Sequence, residues 1–195
     1  MITKKLTKQI VGIDVGMDSF YACYLIKYDN DPSIIKGTKS FQNNFKGMKA
    51  FLLWCEKRDK SSEHPIIFIM EATGVYYEEL AYFLYQNTKQ VSVQLAQKLS
   101  YFAKSINLKT KTDKVDSKMI ARFGIEKSLD DLMLWTPPRK EVKDIRDLAR
   151  EHTSLKKYLT AAQSQLHAMK HAHNTYKSVI EIKETMITFY ENQIK

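Results

Sequence analysis

Cysteine is scarce in this chain of 195 residues, which carries only Cys23 and Cys55. Both lie in apolar surroundings without CxxC spacing, which speaks against a disulfide framework or a thiolate metal site. They are expected to be reduced core thiols of a cytosolic protein. Glycine is also sparse, at six residues. Those six form neither a glycine-rich phosphate loop nor a GxSxG elbow, so two common catalytic scaffolds drop out. Long apolar runs are missing too. None approaches the roughly 20 residues a membrane-spanning helix needs, so no membrane partner is expected. The basic start, Met-Ile-Thr-Lys-Lys-Leu, is followed by no signal-type apolar segment. Acidic residues are outnumbered, 22 against 31 lysines and arginines, for a net charge of +9. That excess points to a polyanionic partner, most simply nucleic acid.

Against this basic background four carboxylates stand out. Asp14 ends the run Ile10-Val11-Gly12-Ile13, and Glu71 ends Ile66-Ile67-Phe68-Ile69-Met70. Both runs have the length and β-branched content of buried strands. Asp113 and Asp116 are three apart at the start of a helical pattern, so both face one way. Strand ends and a helix face can converge on one point. Carboxylates gathered there repel, and some stay protonated. A hard divalent cation relieves the repulsion, and oxygen-only ligands suit magnesium or manganese.

The remaining pattern places these residues. Residues 9–15 and Ser19–Ile26 are expected to form a hairpin around Gly16-Met17-Asp18. Asp29-Asn30-Asp31-Pro32 is a loop, and Lys39–Asn43 a third strand. Asn44 starts a helix with Phe45, Met48, Phe51, Leu52 and Cys55 inward. His64-Pro65 opens the strand 66–70, and Thr73-Gly74 turns it into a helix over Tyr76–Gln86. Val91–Leu95 is a short strand, followed by a helix near Gln97–Lys104. Leu108–Thr112 is a basic loop, and Asp113–Gly124 a helix closed by its glycine. The implied class is α/β with a mixed sheet and flanking helices.

Trp135-Thr136-Pro137-Pro138 marks a boundary, giving a first domain over residues 1–136 and a second over 139–195. The second has no glycine or proline. Ile145, His152, Leu159, Leu166, His173, Ile180, Ile187 and Ile194 repeat every seven residues. Leu148, Leu155, Ala162, Met169, Tyr176 and Tyr190 hold the position three later, with Lys183 as the exception. A long helical coiled-coil tail is expected, with a break at Asn174-Thr175 that could make a hairpin. The seam needs a partner, in the same chain or in a second copy. His167 and His171 are one turn apart, but no cysteine or carboxylate nearby in sequence completes a metal set.

Lys98, Lys104, Lys109, Lys111, Lys114, Lys118 and Arg122 surround the last acidic pair. A solvated helix face is the plain reading. Binding to a phosphate backbone is favoured, because the charge lies beside the acids. Tyr76, Tyr77 and Tyr101 are aromatic neighbours able to stack on bases.

Three stretches together carry a resemblance: Val11-Gly12-Ile13-Asp14-Val15-Gly16, Met70-Glu71-Ala72-Thr73-Gly74-Val75-Tyr76 and Lys111-Thr112-Asp113-Lys114-Val115-Asp116-Ser117. In that order and spacing they are similar to the N-terminal part of the DEDD transposases, insertion-sequence recombinases guided by a bridge RNA. The resemblance covers about residues 8–125 closely. It implies an RNase H-like (RuvC-like) domain with a five-stranded mixed sheet. The first acid sits on the first strand, the second on the fourth, and the last two on a helix. It also implies that Asp14, Glu71, Asp113 and Asp116 hold Mg2+ or Mn2+ as catalytic and metal-binding residues. DNA and a structured guide RNA are the implied partners, with homo-oligomers formed through the tail and a cytoplasmic, nucleoid-associated location. Family members carry a further domain with a nucleophilic serine, and no residue here matches that motif. The alternatives are an RNA-binding and dimerisation module without catalysis, or a Holliday-junction endonuclease of RuvC type.

Overall fold

The structure is a computed structural model that describes residues 5–29 and 31–195. The basic start over Met1–Lys4 and Asn30 of the expected loop lie outside the described residues. The chain forms two compact units, divided between Pro137 and Pro138.

The first unit holds one five-stranded sheet in the order β3-β2-β1-β4-β5. β1 (Leu6–Val15), β2 (Ser19–Tyr28) and β3 (Ile34–Gln42) are antiparallel neighbours, while β4 (Ile66–Glu71) and β5 (Gln90–Gln94) run parallel to β1. The mixed sheet expected from the sequence is therefore present. Strand period decides what each face carries. Val11, Ile13, Phe68 and Met70 join one core with α1 (Phe45–Glu56) and α2 (Glu78–Gln86). Ile10, Ile67 and Ile69 join the other, with α3 (Ala96–Ser105) and α4 (Asp113–Glu126). Asp14 and Glu71 continue the second set, so the alternation that buries the isoleucines delivers both carboxylates to the α4 side.

Four expectations are corrected. β3 begins at Ile34 rather than Lys39, because an exposed edge strand lacks the burial that makes alternation visible. α2 begins at Glu78 rather than Tyr76. Phe45 is 63% exposed rather than inward; its ring meets Phe83 edge-to-face at 6.0 Å and has the Lys49 ammonium 4.3 Å from its centroid. Asn44 does start α1 as expected, its side chain accepting from the Gly47 N–H at 2.9 Å.

The fourth correction concerns Gly124. It does not close α4, which continues to Glu126. Its role is close approach: a Cβ there would lie 2.2 Å from Ile69 Cδ1 and 2.8 Å from Ile10 Cγ2. Gly12 makes the complementary gap in β1, where a Cβ would lie 2.2 Å from the Ala121 nitrogen and 2.4 Å from the Ser117 oxygen. These two glycines let the α4 backbone lie against β1, which carries Asp113 and Asp116 to the end of the strand holding Asp14. Gly12→Ala is expected to destabilise the unit by about 3 kcal/mol, since backbone must move. Gly124→Ala meets only side-chain atoms and gains about 1 kcal/mol of helix propensity, so its net cost is roughly 1 kcal/mol. Urea unfolding of the two variants measures the difference, and equal costs would refute this account of α4 seating.

Lys8 ties down the other end of α4. Its ammonium donates to the carbonyls of Gly124, Ile125 and Lys127, and burial lowers its pKa. After α4, a single 3-10 turn at Asp130–Leu132 is pinned along β5. The Leu132 carbonyl accepts from Ser92 and Gln94, and the Trp135 N–H donates to the Val91 oxygen at 2.7 Å. Trp135 packs edge-on against Tyr82 and Tyr85, so it belongs to the first core and not to a linker.

The second unit is a pair of helices, α5 (Lys140–His171) and α6 (Lys177–Ile194). They form an antiparallel hairpin whose turn contains Asn174 at φ 59° and is closed by the Thr175 hydroxyl donating to the Met169 oxygen at 2.8 Å. Lys170 pairs with Glu184 at 2.8 Å, and the Tyr158 and Tyr190 rings lie 5.9 Å apart. The heptad seam from Leu155 to Met169 is half-buried against that from Ile180 to Ile194, and Ala162 is buried between them. The seam thus finds a partner within the chain along this part of α5. Val142, Ile145 and Leu148 on its first turns stay exposed.

Candidate active site

The site begins with strand register. Ile13 lies beside Met70, so Asp14 and Glu71 follow side by side at the ends of β1 and β4. α4 supplies the other two acids from its first turn. Its N-cap is Thr112, whose hydroxyl accepts from the Val115 N–H at 3.3 Å, fixing where the helix starts. Asp14, Glu71, Asp113 and Asp116 all line one groove of about 580 Å³. α3 contributes Ala96, Gln97, Ser100 and Ala103 to its lining, and the loop 108–112 contributes every one of its residues. As their side chains are placed, no group of three or more His, Cys, Asp or Glu among the described residues is close enough to hold a metal ion.

The electrostatics of the groove follow from that crowding. Asp14 has its pKa raised to about 6, first by burial and then by the charges of Asp116, Asp113 and Glu71, with Lys111 opposing. Asp116 is also raised, chiefly by burial, with Lys111 again opposing and Glu71 and Asp113 adding. Asp14 and Asp116 therefore feel the other acids of the groove, and a cation would relieve that repulsion. An oxygen-only donor set of this kind fits magnesium or manganese.

The basic residues expected around the acids divide into several groups. Lys109 and Lys111 line the groove. Lys104 is not part of that lining, and its ammonium lies 5.8 Å from the Tyr101 ring centroid. Lys98 turns to the Phe123 ring and the Asp131 carbonyl, and Arg122 pairs with Glu126 at 2.7 Å. Lys114 and Lys118 share a face of α4 outside the groove lining. Among the tyrosines, Tyr77 packs partly against the core, whereas Tyr76 and Tyr101 are exposed.

Thr73 is a residue that sequence reasoning took for a turn position. Its hydroxyl donates to Glu71 Oε1 at 2.5 Å, and it lines the groove. The hydrogen bond engages one of the two carboxylate oxygens of Glu71. Its signal was a hydroxyl two residues beyond a strand-terminal acid. Thr73→Val keeps the shape and removes the donor. Manganese binding to that variant is expected to weaken by about 10- to 100-fold, read by calorimetry on the purified chain; unchanged binding would show that Glu71 orients itself.

Residues 11–172 match a family model described as a transposase, of the DEDD type named for IS110. Pilin gene-inverting proteins of Moraxella bovis and Moraxella lacunata are each 27% identical over 164 residues, covering 84% of this chain and 48% of the relative. The chain therefore spans about half the length of the curated relatives it matches. Among solved structures, Thermus thermophilus RuvC aligns with a TM-score of 0.44 at 8% identity, over 58% of this chain and 90% of that one. The yeast mitochondrial Holliday junction resolvase aligns with a TM-score of 0.43 at 16% identity, over 62% and 80%. No helix among the described residues is long and apolar enough to cross a membrane. With the family match running over most of its length, the chain belongs to the DEDD transposase family.

Proposed function

We propose that this chain is the metal-binding and nucleic-acid-binding part of a DNA recombinase, and that the groove bearing Asp14, Glu71, Asp113 and Asp116 is where a DNA phosphate reacts. The observation that carries the proposal is the placement of all four acids, with Lys109 and Lys111, around one groove in a chain of the transposase family. A divalent cation, when bound, would supply stabilisation of the charge that develops on phosphate oxygens. The chain's own residues do the rest. Asp14, Glu71, Asp113 and Asp116 would hold the cation, and Thr73 orients Glu71 for it. Lys109 and Lys111 draw the phosphate backbone into the groove and offset the negative charge of the acids. A structured guide RNA, a homo-oligomer joined through the helical tail, and a serine nucleophile from another domain complete this reading.

A binding module without catalysis is the second reading, favoured by the finding that no three acids among the described residues are grouped closely enough to hold a metal ion. Strand cleavage and joining by the complete recombinase, with magnesium, manganese or a chelator, separates the two. Metal-dependent chemistry that is lost in Glu71→Gln and Asp116→Asn, with binding retained, supports the enzyme. Chemistry indifferent to both substitutions would overturn the assignment.

A further inference from the structure

We propose that Tyr101 is a stacking platform for an unpaired nucleobase at the outer margin of the acidic groove. This rests on the reading of the groove as a nucleic-acid site. α3 fully buries only Leu99, and its groove-facing side is small and polar, through Gln97, Ser100 and Ala103. Tyr101 stands next to that side, one turn beyond Gln97, and is 59% exposed. An exposed tyrosine is ordinarily free to change rotamer, but this one is held at two points. Gln97 donates to its hydroxyl at 3.0 Å, and the Lys104 ammonium lies 5.8 Å from its ring centroid. Gln97 itself lines the groove, so the ring is tied to a wall of the proposed reaction site.

The chemistry of the surroundings selects the occupant. Lys109 and Lys111 in the groove offer positive charge to a phosphate backbone passing the acids, and Lys104 adds its charge at the Tyr101 ring. A base joined to that backbone brings a flat π-face, which an ordered aromatic ring matches whatever the sequence. The lysine covers one side of the ring, and its exposure leaves the other side for the base. A base inside a duplex keeps its own stacking partners and cannot reach a single projecting ring. The platform therefore takes an unpaired nucleotide, whether from a melted DNA strand or from RNA.

The test uses the whole 195-residue chain, in chelator so that no strand is cut. Single-stranded DNA, single-stranded RNA and duplex DNA each carry one 2-aminopurine. Affinity is read by anisotropy across a salt series, and stacking by fluorescence quenching. Tyr101→Ala is expected to bind single strands about 5- to 100-fold more weakly, to lose the quenching, and to keep both the salt slope and the duplex affinity. Tyr101→Phe keeps the ring and should stay near the parent, which separates loss of stacking from loss of fold. Quenching by only one of the two single strands identifies which polymer supplies the base. Unchanged affinity and persistent quenching in Tyr101→Ala overturn the platform. A parent chain that binds no single strand overturns it as well. The groove reading has its own arm: Lys109→Ala with Lys111→Ala should flatten the salt slope by about 1.4 for single strands. An unchanged slope there would defeat the groove while leaving the Tyr101 result to stand or fall separately.

Discussion

Asp14→Asn is expected to stabilise the metal-free protein at pH 8 while abolishing metal-dependent recombination by the complete enzyme. The two effects share one cause. Asp14 sits half-buried among Asp116, Asp113 and Glu71, and these charges together with burial hold its pKa at about 6. The unfolded chain releases that proton near the ordinary value of 3.8. Between these values the folded state binds more protons than the unfolded one, so stability falls as pH rises through that window. Above it the whole penalty is present. Asparagine keeps the shape and removes the charge, so the penalty disappears. Allowing for solvent around a half-exposed carboxylate, the gain is about 1 kcal/mol, or a rise in Tm of roughly 2–5 °C. At pH 4 the parent is largely protonated there, and the two proteins should melt nearly together. Activity should fall on the order of 10³-fold, since the proposed site would lose one anionic ligand where phosphate charge is to be offset. Thermal melts at both pH values and a recombination assay make the check. A variant that is less stable at pH 8 would mean that Asp14 makes favourable contacts and is not strained by its neighbours.

Asp14 and Glu71 were legible because each breaks a pattern, whereas Asp113 and Asp116 stood out by sharing one face of a first helical turn. A carboxylate at the end of a β-branched apolar run has no packing reason to be there, and Asp14 and Glu71 both end such runs. Period-2 alternation then assigns both to the face shared with Ile10 and Ile69. Gly12 and Gly124 were not legible. A glycine near the end of a helical pattern looks the same whether it terminates the helix or admits a strand, and only the opposing element decides. Gln9 is another such residue. At a strand start it has the look of a solvent-side position, yet it is 1% exposed. It donates to Asp59 and His64 and accepts from the Tyr24 hydroxyl at 2.8 Å, bonds that span up to 55 residues. The tail shows the opposite case. Its seam and its break near Asn174 were both in the heptad pattern, but a heptad fixes only that a partner exists. The short turn, which keeps α6 beside α5, supplies one within the chain.

Divalent-cation affinity should depend on pH with a midpoint near 6, and Lys111→Ala should move that midpoint upward. If Asp14 is a ligand, as proposed, metal displaces its proton, so binding is favoured once the carboxyl is ionised. Affinity should therefore level off above pH 7 and be about tenfold weaker at pH 5, one pH unit below the midpoint. Lys111 lines the groove and opposes the upward shift of both Asp14 and Asp116. Without its ammonium, the acids repel one another unrelieved and hold their protons to higher pH. The same loss removes a charge that repels the incoming cation. Lys111→Ala should consequently bind manganese more tightly than the parent at pH 8 and less tightly at pH 5, so that the two affinity curves cross. Calorimetric titration of manganese into both proteins between pH 5 and pH 8 reads this directly. Coincident curves would show that Lys111 acts only on phosphate, a parallel offset that it repels the cation without shifting the acids, and a flat parent curve that the cation binds without calling on Asp14.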